Sequence, residues 1–363
     1  MVTLEDIARQ MGVSQSTVSR ALADSPLVNA ETKERIQILA RQLGYEVNQV
    51  ARNLKVRSTG MIGLVVPEVS NPFYPKLVQS VADRAREAGY GIQLHLSGAD
   101  QSSEIACLAS LRQQRADGIL LITGEQGLVA RDQVNVLAAA HNPIVLMGWV
   151  ADADHIDMVT GDDAKGGYEL ARHLIALGHR QIAILGKSPH RGIYDRLLGF
   201  RTALQEAGIE LYEEYPITVQ SDEDVKRGVQ RLLGLPVPPT AIFAYQDSLA
   251  AFVIKHLADA CVPVPQEMTV VGFDNLDLAT YICPRLTTVG EHIEPLATAS
   301  IHLLLERIRK SSPDATPRHI VITPRLVVRD SCAPPRQSVP LRKTPCSCGL
   351  CCQALLIQGD SEC

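Results

Sequence analysis

The sequence predicts an all-α amino-terminal block joined to an α/β core of two lobes, each built on a doubly wound parallel sheet. Three observations predict it. Residues 1–45 place apolar residues only at helical spacing. From Met61 to about residue 330, short apolar runs alternate with helical stretches, as parallel strands covered on both faces require. The chain has 363 residues, 46% hydrophobic and 21% charged, which suits two or three domains with buried cores and not a disordered chain. Aromatics are only 4%, with one tryptophan, which argues against aromatic-rich β-sandwich or stacking folds. The pattern divides the chain into a block at 1–45, a connecting segment at 46–60, a core at 61–330 and a Cys-containing tail at 331–363, without a repeat of solenoid length.

In the first block Thr3 can cap a helix whose first turn carries Glu5 and Asp6, suited to the positive end of the helix dipole. Leu4, Ile7, Ala8 and Met11 form its apolar face, and Gly12 ends it. Ser14 caps a second helix, Gln15–Leu22, with Val18, Ala21 and Leu22 inward. Asn29 caps a third, with Ile36, Leu39, Ala40 and Leu43 as its stripe and Gly44 as its stop. Two short helices joined by a tight glycine turn match a helix-turn-helix, whose second helix enters the DNA major groove. Gln15, Ser16, Ser19 and Arg20 lie off the apolar face of that helix. Gln can bond adenine bidentately and Arg can bond guanine. The pattern alone leaves open a plain three-helix bundle with a solvated polar face.

The core reads as two α/β units. Strand 61–66 is a continuous apolar run, followed by a helix near 75–88. Strands near 91–96, 118–122 and 144–147 follow, with helices near 101–114 and 129–140. The second unit begins near 161, with strands near 181–185, 240–244 and 269–273 and helices near 164–177, 195–207, 222–233 and 248–260. Open α/β sheets bind ligands beyond the carboxyl ends of their strands. Candidate polar and aromatic groups fall there: Asn71 and Phe73 after the first strand, Trp149 after the fourth, Gln246 and Asp247 after AIFAY, and Asp274 after VVGF.

Residues 2–59 strongly resemble the headpiece of the LacI/GalR family of bacterial transcription regulators. The resemblance rests on Asp6-Ile7-Ala8, Gly12-Val13-Ser14, Thr17-Val18-Ser19-Arg20, Leu43-Gly44-Tyr45 and Ala51-Arg52-Asn53-Leu54 in fixed order, and it continues to about residue 330. It implies a periplasmic-binding-protein-like core with discontinuous lobes, the chain crossing between them near Thr160, Val289 and Thr323. It implies DNA contacts from Gln15, Ser16, Thr17, Ser19 and Arg20. It also implies a hinge helix over 48–56 whose Leu54 wedges between base pairs from the minor groove. Flanking cations such as Lys55 suit that role by holding phosphates, although without DNA the segment is a flexible basic linker. For the effector the resemblance implies Phe73 stacking on a sugar or base ring, Arg196 bonding hydroxyls or a carboxylate, and Asp274 accepting from hydroxyls. Gly148, Gln246 and Glu291 depart from common family forms, and an ionised Glu291 disfavours an anionic ligand, while Lys187 and Arg191 pull the other way.

The expected function is a repressor that binds a pseudo-palindromic operator as a homodimer and answers to a small-molecule effector, a sugar or related polyol, or a nucleoside, without cofactor or metal. Charge agrees with a local DNA-binding block: residues 1–57 carry eight Lys/Arg against six Asp/Glu, and the remainder stands at −7. No apolar run reaches the ~18 residues that span a bilayer, and the acidic start lacks the pattern of a signal peptide, so a cytoplasmic protein without membrane contact is expected. That also weighs against a sugar transport protein. An enzyme is disfavoured: LGKS at 185–188 lacks the earlier glycine of a phosphate loop, Gly178-His179-Arg180 has no partner base, and GDDAKGG at 161–167 has the wrong glycine spacing. Of nine cysteines, 107, 261, 283 and 332 read as small core residues. Cys346, Cys348, Cys351 and Cys352 have spacing that can chelate a soft metal, but no second pair or histidine follows, and a disordered extension is the preferred reading.

Overall fold

The computed structural model describes residues 2–45, 58–98, 100–122, 143–148, 156–186, 191–219, 221–290, 293–310 and 316–336. The chain divides into two units, Met1–Thr59 and Gly60–Cys363. The first holds α1 (Leu4–Met11), α2 (Gln15–Leu22) and α3 (Ala30–Gln42). Ile7, Ala8, Val18, Ala21, Ile36 and Ala40 close its core from all three helices. Local signals set the boundaries. Thr3 and Asp6 form a reciprocal capping box, and Gly12 takes the left-handed conformation, φ 65°, that ends α1. Ser14 caps α2 through Thr17 N–H, and Asn29 caps α3 through Glu31 N–H.

The second unit continues with β1 (Met61–Val66), α4 (Phe73–Glu87), β2 (Gly91–Leu96), α5 (Gln101–Gln113), β3 (Gly118–Leu121), β4 (Ile144–Met147) and β5 (Asp157–Gly161). Next come α6 (Asp163–Ala176), β6 (Ile182–Gly186), α7 (Arg191–Glu206), β7 (Pro216–Thr218), α8 (Asp222–Leu233), β8 (Ala241–Ala244), α9 (Asp247–Asp259) and β9 (Thr269–Val271). The described chain ends with α10 (Leu278–Tyr281), β10 (Thr288–Gly290), α11 (Ile293–Lys310), β11 (His319–Ile322) and β12 (Arg325–Val327). The helix read near 129–140 lies outside the described residues.

Lobe 1 is a six-stranded sheet in the order β11-β5-β4-β3-β1-β2, parallel throughout. Its inner strands β1, β3 and β4 are apolar on both faces because both are covered. Ile62, Leu64 and Val66 join the cluster under α4 and α11, while Val65 joins the opposite cluster with Leu108 and Leu111 of α5. Lobe 2 is a parallel four-stranded sheet, β7-β6-β8-β9, with the same alternation. Ala183 and Leu185 of β6 face α8 and α9, and Ile182 and Ile184 face α6 and α7. The chain crosses between lobes three times, from β5 to α6, from β10 to α11, and from β11 to β12, because α6, β10 and β12 pack on lobe 2 and α11 packs on lobe 1. The strands β10 and β12 pair antiparallel.

Two expectations need correction. Residues 331–336, assigned to a disordered tail, instead run along lobe 2. Thr287 N–H donates to Ser331 Oγ, which donates to Val270 O, and Ala333 O accepts from Thr269 Oγ1 and buried His179 Nε2. This ladder satisfies the backbone at that edge. His179 is thereby a structural clip between lobe and carboxyl-terminal segment, and its burial lowers its pKa to about 4, keeping the ring neutral. Residues 337–363, with the cysteine cluster, lie outside the described residues. The other correction concerns thiols expected in the core. Cys261 and Cys283 are exposed and Cys107 and Cys332 half-buried, because Cys261 occupies a positive-φ turn after α9 and Cys283 the loop after α10. No helix among the described residues is long and apolar enough to cross a membrane.

Candidate functional site

In the headpiece, burying Val18 and Ala21 turns the opposite face of α2 outward. Gln15, Ser16 and Arg20 are exposed there, and Thr17 and Ser19 are half-buried. The hydroxyls at the start of the helix form a local network: Ser14 Oγ accepts from Thr17 N–H at 3.1 Å and lies 2.7 Å from Ser16 Oγ and 2.9 Å from Thr17 Oγ1. Thr17 thus helps to hold the cap, while Gln15 and Arg20 offer long, extended donors. Leu54 and Lys55 lie outside the described residues.

In the core, the meeting of α6 and α7 positions the second set. The two helices approach backbone to backbone because glycines stand at the contact. A Cβ on Gly199 would lie 2.6 Å from the Ala164 carbonyl carbon, and one on Gly167 would lie 2.8 Å from that of Arg196. This approach carries the Arg196 guanidinium to Asp163, at the first turn of α6. The Nε···Oδ1 distance is 3.4 Å. Arg196 is buried, donates from Nη1 to Tyr245 O at 2.8 Å, and lies 3.8 Å from the Phe273 ring centroid, a cation–π contact. Burial works against its charge, but Asp163 and then Asp274 outweigh it and raise its pKa.

Asp274 follows β9 in an unusual backbone conformation, φ 102°, and Asn275 follows at φ 49°. Such conformations persist where the surroundings over-determine them. Here Asp274 N–H donates to Val289 O at 2.7 Å, and Asn275 Oδ1 accepts from Arg329 at 2.6 Å. Leu276 N–H donates to Asp247 Oδ2 at 2.7 Å. Asp247 also accepts from Thr288 Oγ1 at 2.5 Å, so one carboxyl ties the start of α9 to the Asp274 loop and to β10. The Asp274 side chain is 2% exposed, with Oδ1 2.9 Å from Arg196 Nη2. The N–H is not aligned on that oxygen, which has no hydrogen-bond partner among the described residues. Burial, opposed by Arg196, raises the Asp274 carboxyl to about 6. Burial and then the Asp274 charge raise Asp247 to about 8, so Asp247 keeps its proton at neutral pH.

The structure brings Arg196 and Asp274 together in direct contact, Nη2 2.9 Å from Oδ1. It reaches Phe73 less directly: Phe73 packs against the lobe 1 cluster that contains Leu276, two residues past Asp274. Lys76 of α4 also pairs with Asp277 at 2.7 Å, tying lobe 1 to the same loop. Asn71 accepts from Phe73 N–H at 3.0 Å and so caps its own turn. Gln246 is half-buried and starts α9 without a side-chain cap bond. Trp149, Glu291, Lys187 and the Arg191 side chain lie outside the described residues. Sequence reasoning missed Asp163, Tyr245 and Phe273. An acidic residue opening a helix reads as a dipole partner, and nothing in spacing says which arginine will meet it.

Two families of known sequence match. The model for bacterial regulatory proteins of the lacI family covers residues 3–48, and that for the periplasmic binding protein-like domain covers residues 171–332. The chain is 34% identical over 334 residues to the HTH-type transcriptional regulator DegA of Bacillus subtilis, spanning 92% of this chain and 98% of that protein. It is 32% identical over 333 residues to the ribose operon repressor of Haemophilus influenzae, spanning 91% and 98%. Among solved structures, a LacI family transcriptional regulator from Enterococcus faecium with bound ribose matches with a TM-score of 0.67 and 28% identity, over 76% of this chain and 99% of that one. A capped recognition helix, two crossed-over parallel lobes and relatives aligned along nine-tenths of the sequence lead to one assignment: the chain belongs to the lacI family of bacterial regulatory proteins.

Proposed function

We propose that this chain is a sequence-specific transcription repressor that acts in the cytoplasm, binds a pseudo-palindromic operator as a homodimer, and releases or holds it according to a sugar or related polyol bound between the lobes. The observation that carries the effector half is the buried Arg196–Asp274 pair, Nη2 2.9 Å from Oδ1, in which that oxygen accepts no aligned hydrogen bond among the described residues. A buried acceptor costs free energy until a donor arrives, and a hydroxyl supplies one. The ribose-bound relative and the ribose operon repressor support a sugar. The DNA half rests on the exposed Gln15, Ser16 and Arg20, with Thr17 and Ser19 beside them, and on Leu54 and Lys55 as wedge and phosphate contact. Asn71, Phe73, Trp149, Gln246 and Glu291 complete the proposed effector set. The reading includes no catalysis. Asp247 and Asp274 engage Thr288 Oγ1, Leu276 N–H and Arg196, contacts that join α9, the loop after β9 and β10.

Effector binding acts by population shift: a ligand that prefers one lobe arrangement biases the headpieces toward or away from operator geometry. The test begins with selection of operator from random DNA, followed by titration with and without sugars. Arg196→Ala and Asp274→Ala should each weaken the effector by about 2–5 kcal/mol, as loss of one partner of a charge-assisted pair does, and leave effector-free operator affinity much less changed. Wild-type response in both variants places the effector elsewhere.

A further inference from the structure

The Arg196 cluster contains more acid than base. Three carboxyl groups, Asp163, Asp247 and Asp274, gather about one buried guanidinium. Each arrives from a different element: Asp163 from α6, Asp247 from α9 and Asp274 from the loop after β9. The guanidinium is already occupied. It has Asp163 on Nε, Tyr245 O on Nη1, Asp274 beside Nη2 and Phe273 across its face. The side chains of Arg196 and Asp274 are 8% and 2% exposed, so water does little to screen them. The cluster also shows its excess of negative charge. Asp247 is held protonated at neutral pH by burial and then by the charge of Asp274. Asp274 Oδ1 accepts no aligned hydrogen bond among the described residues, although Arg196 Nη2 stands 2.9 Å away.

We propose that Asp163 is a specificity-determining residue of the cleft: by occupying Arg196 it excludes carboxylate- and phosphate-bearing effectors and leaves Asp274 to select uncharged hydroxyl donors. The inference rests on the cleft reading above and narrows it from sugars in general to sugars without an anionic group. An anionic group that approached Arg196 would meet Asp163 and Asp274 at ion-pair range in a poorly screened site, and the ionised group itself carries no proton donor for Oδ1. Removing the Asp163 charge frees Nε and relieves that repulsion, without taking away the Asp274 acceptor.

The experiment uses the full-length protein and calorimetric titration against matched probes: ribose and ribose 5-phosphate, glucose with gluconate and glucose 6-phosphate, and cellobiose with cellobionate. At least one neutral probe should bind, with its anionic counterpart tenfold weaker or more. Asp163→Asn should shrink that ratio about tenfold by tightening the anion, and Asp163→Glu should restore it. A purely structural role for Asp163 would weaken both members of a pair together and leave the ratio alone. The wild-type ratio is itself decisive, even where a variant fails to fold. An anionic probe that binds wild type as tightly as its neutral partner overturns the charge filter and leaves the cleft reading standing. Binding of none of the probes overturns the cleft reading and the filter with it.

Discussion

Gly199→Ala tests whether the glycine contact between α6 and α7 builds the site. The added Cβ would stand 2.6 Å from the Ala164 carbonyl carbon and nearer still to its oxygen. Ordinary contact begins near 3.5 Å for carbon and a little over 3 Å for oxygen, so the nearer oxygen requires the helices to part by roughly 1.5 Å. Both partners are backbone, and no rotamer change can absorb the overlap. Forced repacking of this kind costs about 1–3 kcal/mol, and a rigid partner belongs at the upper end. Alanine regains about 1 kcal/mol of helix propensity over glycine, which leaves a net loss of about 2 kcal/mol. At about 2–4 °C per kcal/mol for a domain of this size, Tm should fall by about 4–8 °C. The same displacement carries Asp163 Oδ1 from 3.4 Å to beyond hydrogen-bond range of Arg196 Nε, so the preference for neutral over anionic ligands should shrink too. Gly228→Ala in α8 is the control, because its Cβ would meet only side chains, the nearest atom being Ile217 Cγ2 at 3.1 Å. That variant should stay within about 1 kcal/mol of wild type. The assay is thermal unfolding of both variants beside effector titration. A Gly199→Ala protein that melts at or above wild type and keeps its preference for neutral over anionic ligands refutes the argument.

Two further outcomes follow from other parts of the chain. Arg20→Ala should relax preference at one position of each operator half-site, at a cost of about 1–3 kcal/mol, and selection from random DNA would reveal it as a flattened column in the site profile. His179→Gln should change how stability depends on pH. The folded ring titrates at about 4 and the unfolded ring near 6.5, so between those values the unfolded chain binds the extra proton. Wild-type stability contributed by the neutral ring is therefore present above about pH 6.5 and lost as pH falls toward 4, by up to about 1.4 kcal/mol per unit. The glutamine variant lacks this loss, and denaturant melts at pH 7 and pH 5 should show the gap between the two proteins narrowing at the lower pH. An unchanged gap means that His179 is not the buried neutral clip.

The headpiece was the most legible part because its boundaries are local. Thr3, Gly12, Ser14 and Asn29 act within a turn of where they stand, and helical spacing alone picks out Ile7, Val18 and Ile36 as core. The buried strands were nearly as plain, since 61–66 and 241–244 are apolar runs too short for helices. The misses have physical causes. The strands β7, β10, β11 and β12 are three or four residues long, and β11 alternates exposed and half-buried positions at a sheet edge, too short for a period to register. The helix α11 carries Pro295, which reads as a breaker. In the first turn of a helix, however, a missing N–H removes no internal bond. Its buried face, Ile293, Leu296, Ala297, Ile301 and Leu304, does follow helical spacing. Arg307 reaches back across the sequence to grip buried Asp157 with two bonds of 2.6 and 2.7 Å.

The effector site divides along the same line. Arg196 and Asp274 could be singled out because each sits in a recognisable local string, RLLGF after a helix start and VVGFDN after a strand. Their environment could not. Asp163 and Arg196 are separated by the length of α6, by β6 and by the start of α7, and they meet only because Gly167 and Gly199 permit backbone contact. In sequence each glycine reads as a weak helix residue, a local cost of about 1 kcal/mol with no stated return. The three-dimensional contact supplies the return by drawing a second carboxylate onto the arginine. The chemistry of the cleft therefore depends on residues that carry no chemistry. A glycine-to-alanine change three residues from Arg196 should alter what the cleft accepts as surely as a change to the arginine itself, whereas the same change at Gly228, where only side chains approach, should not. That difference between two helical glycines, invisible to composition and spacing, is the sharpest measure of how the fold writes specificity into this family member.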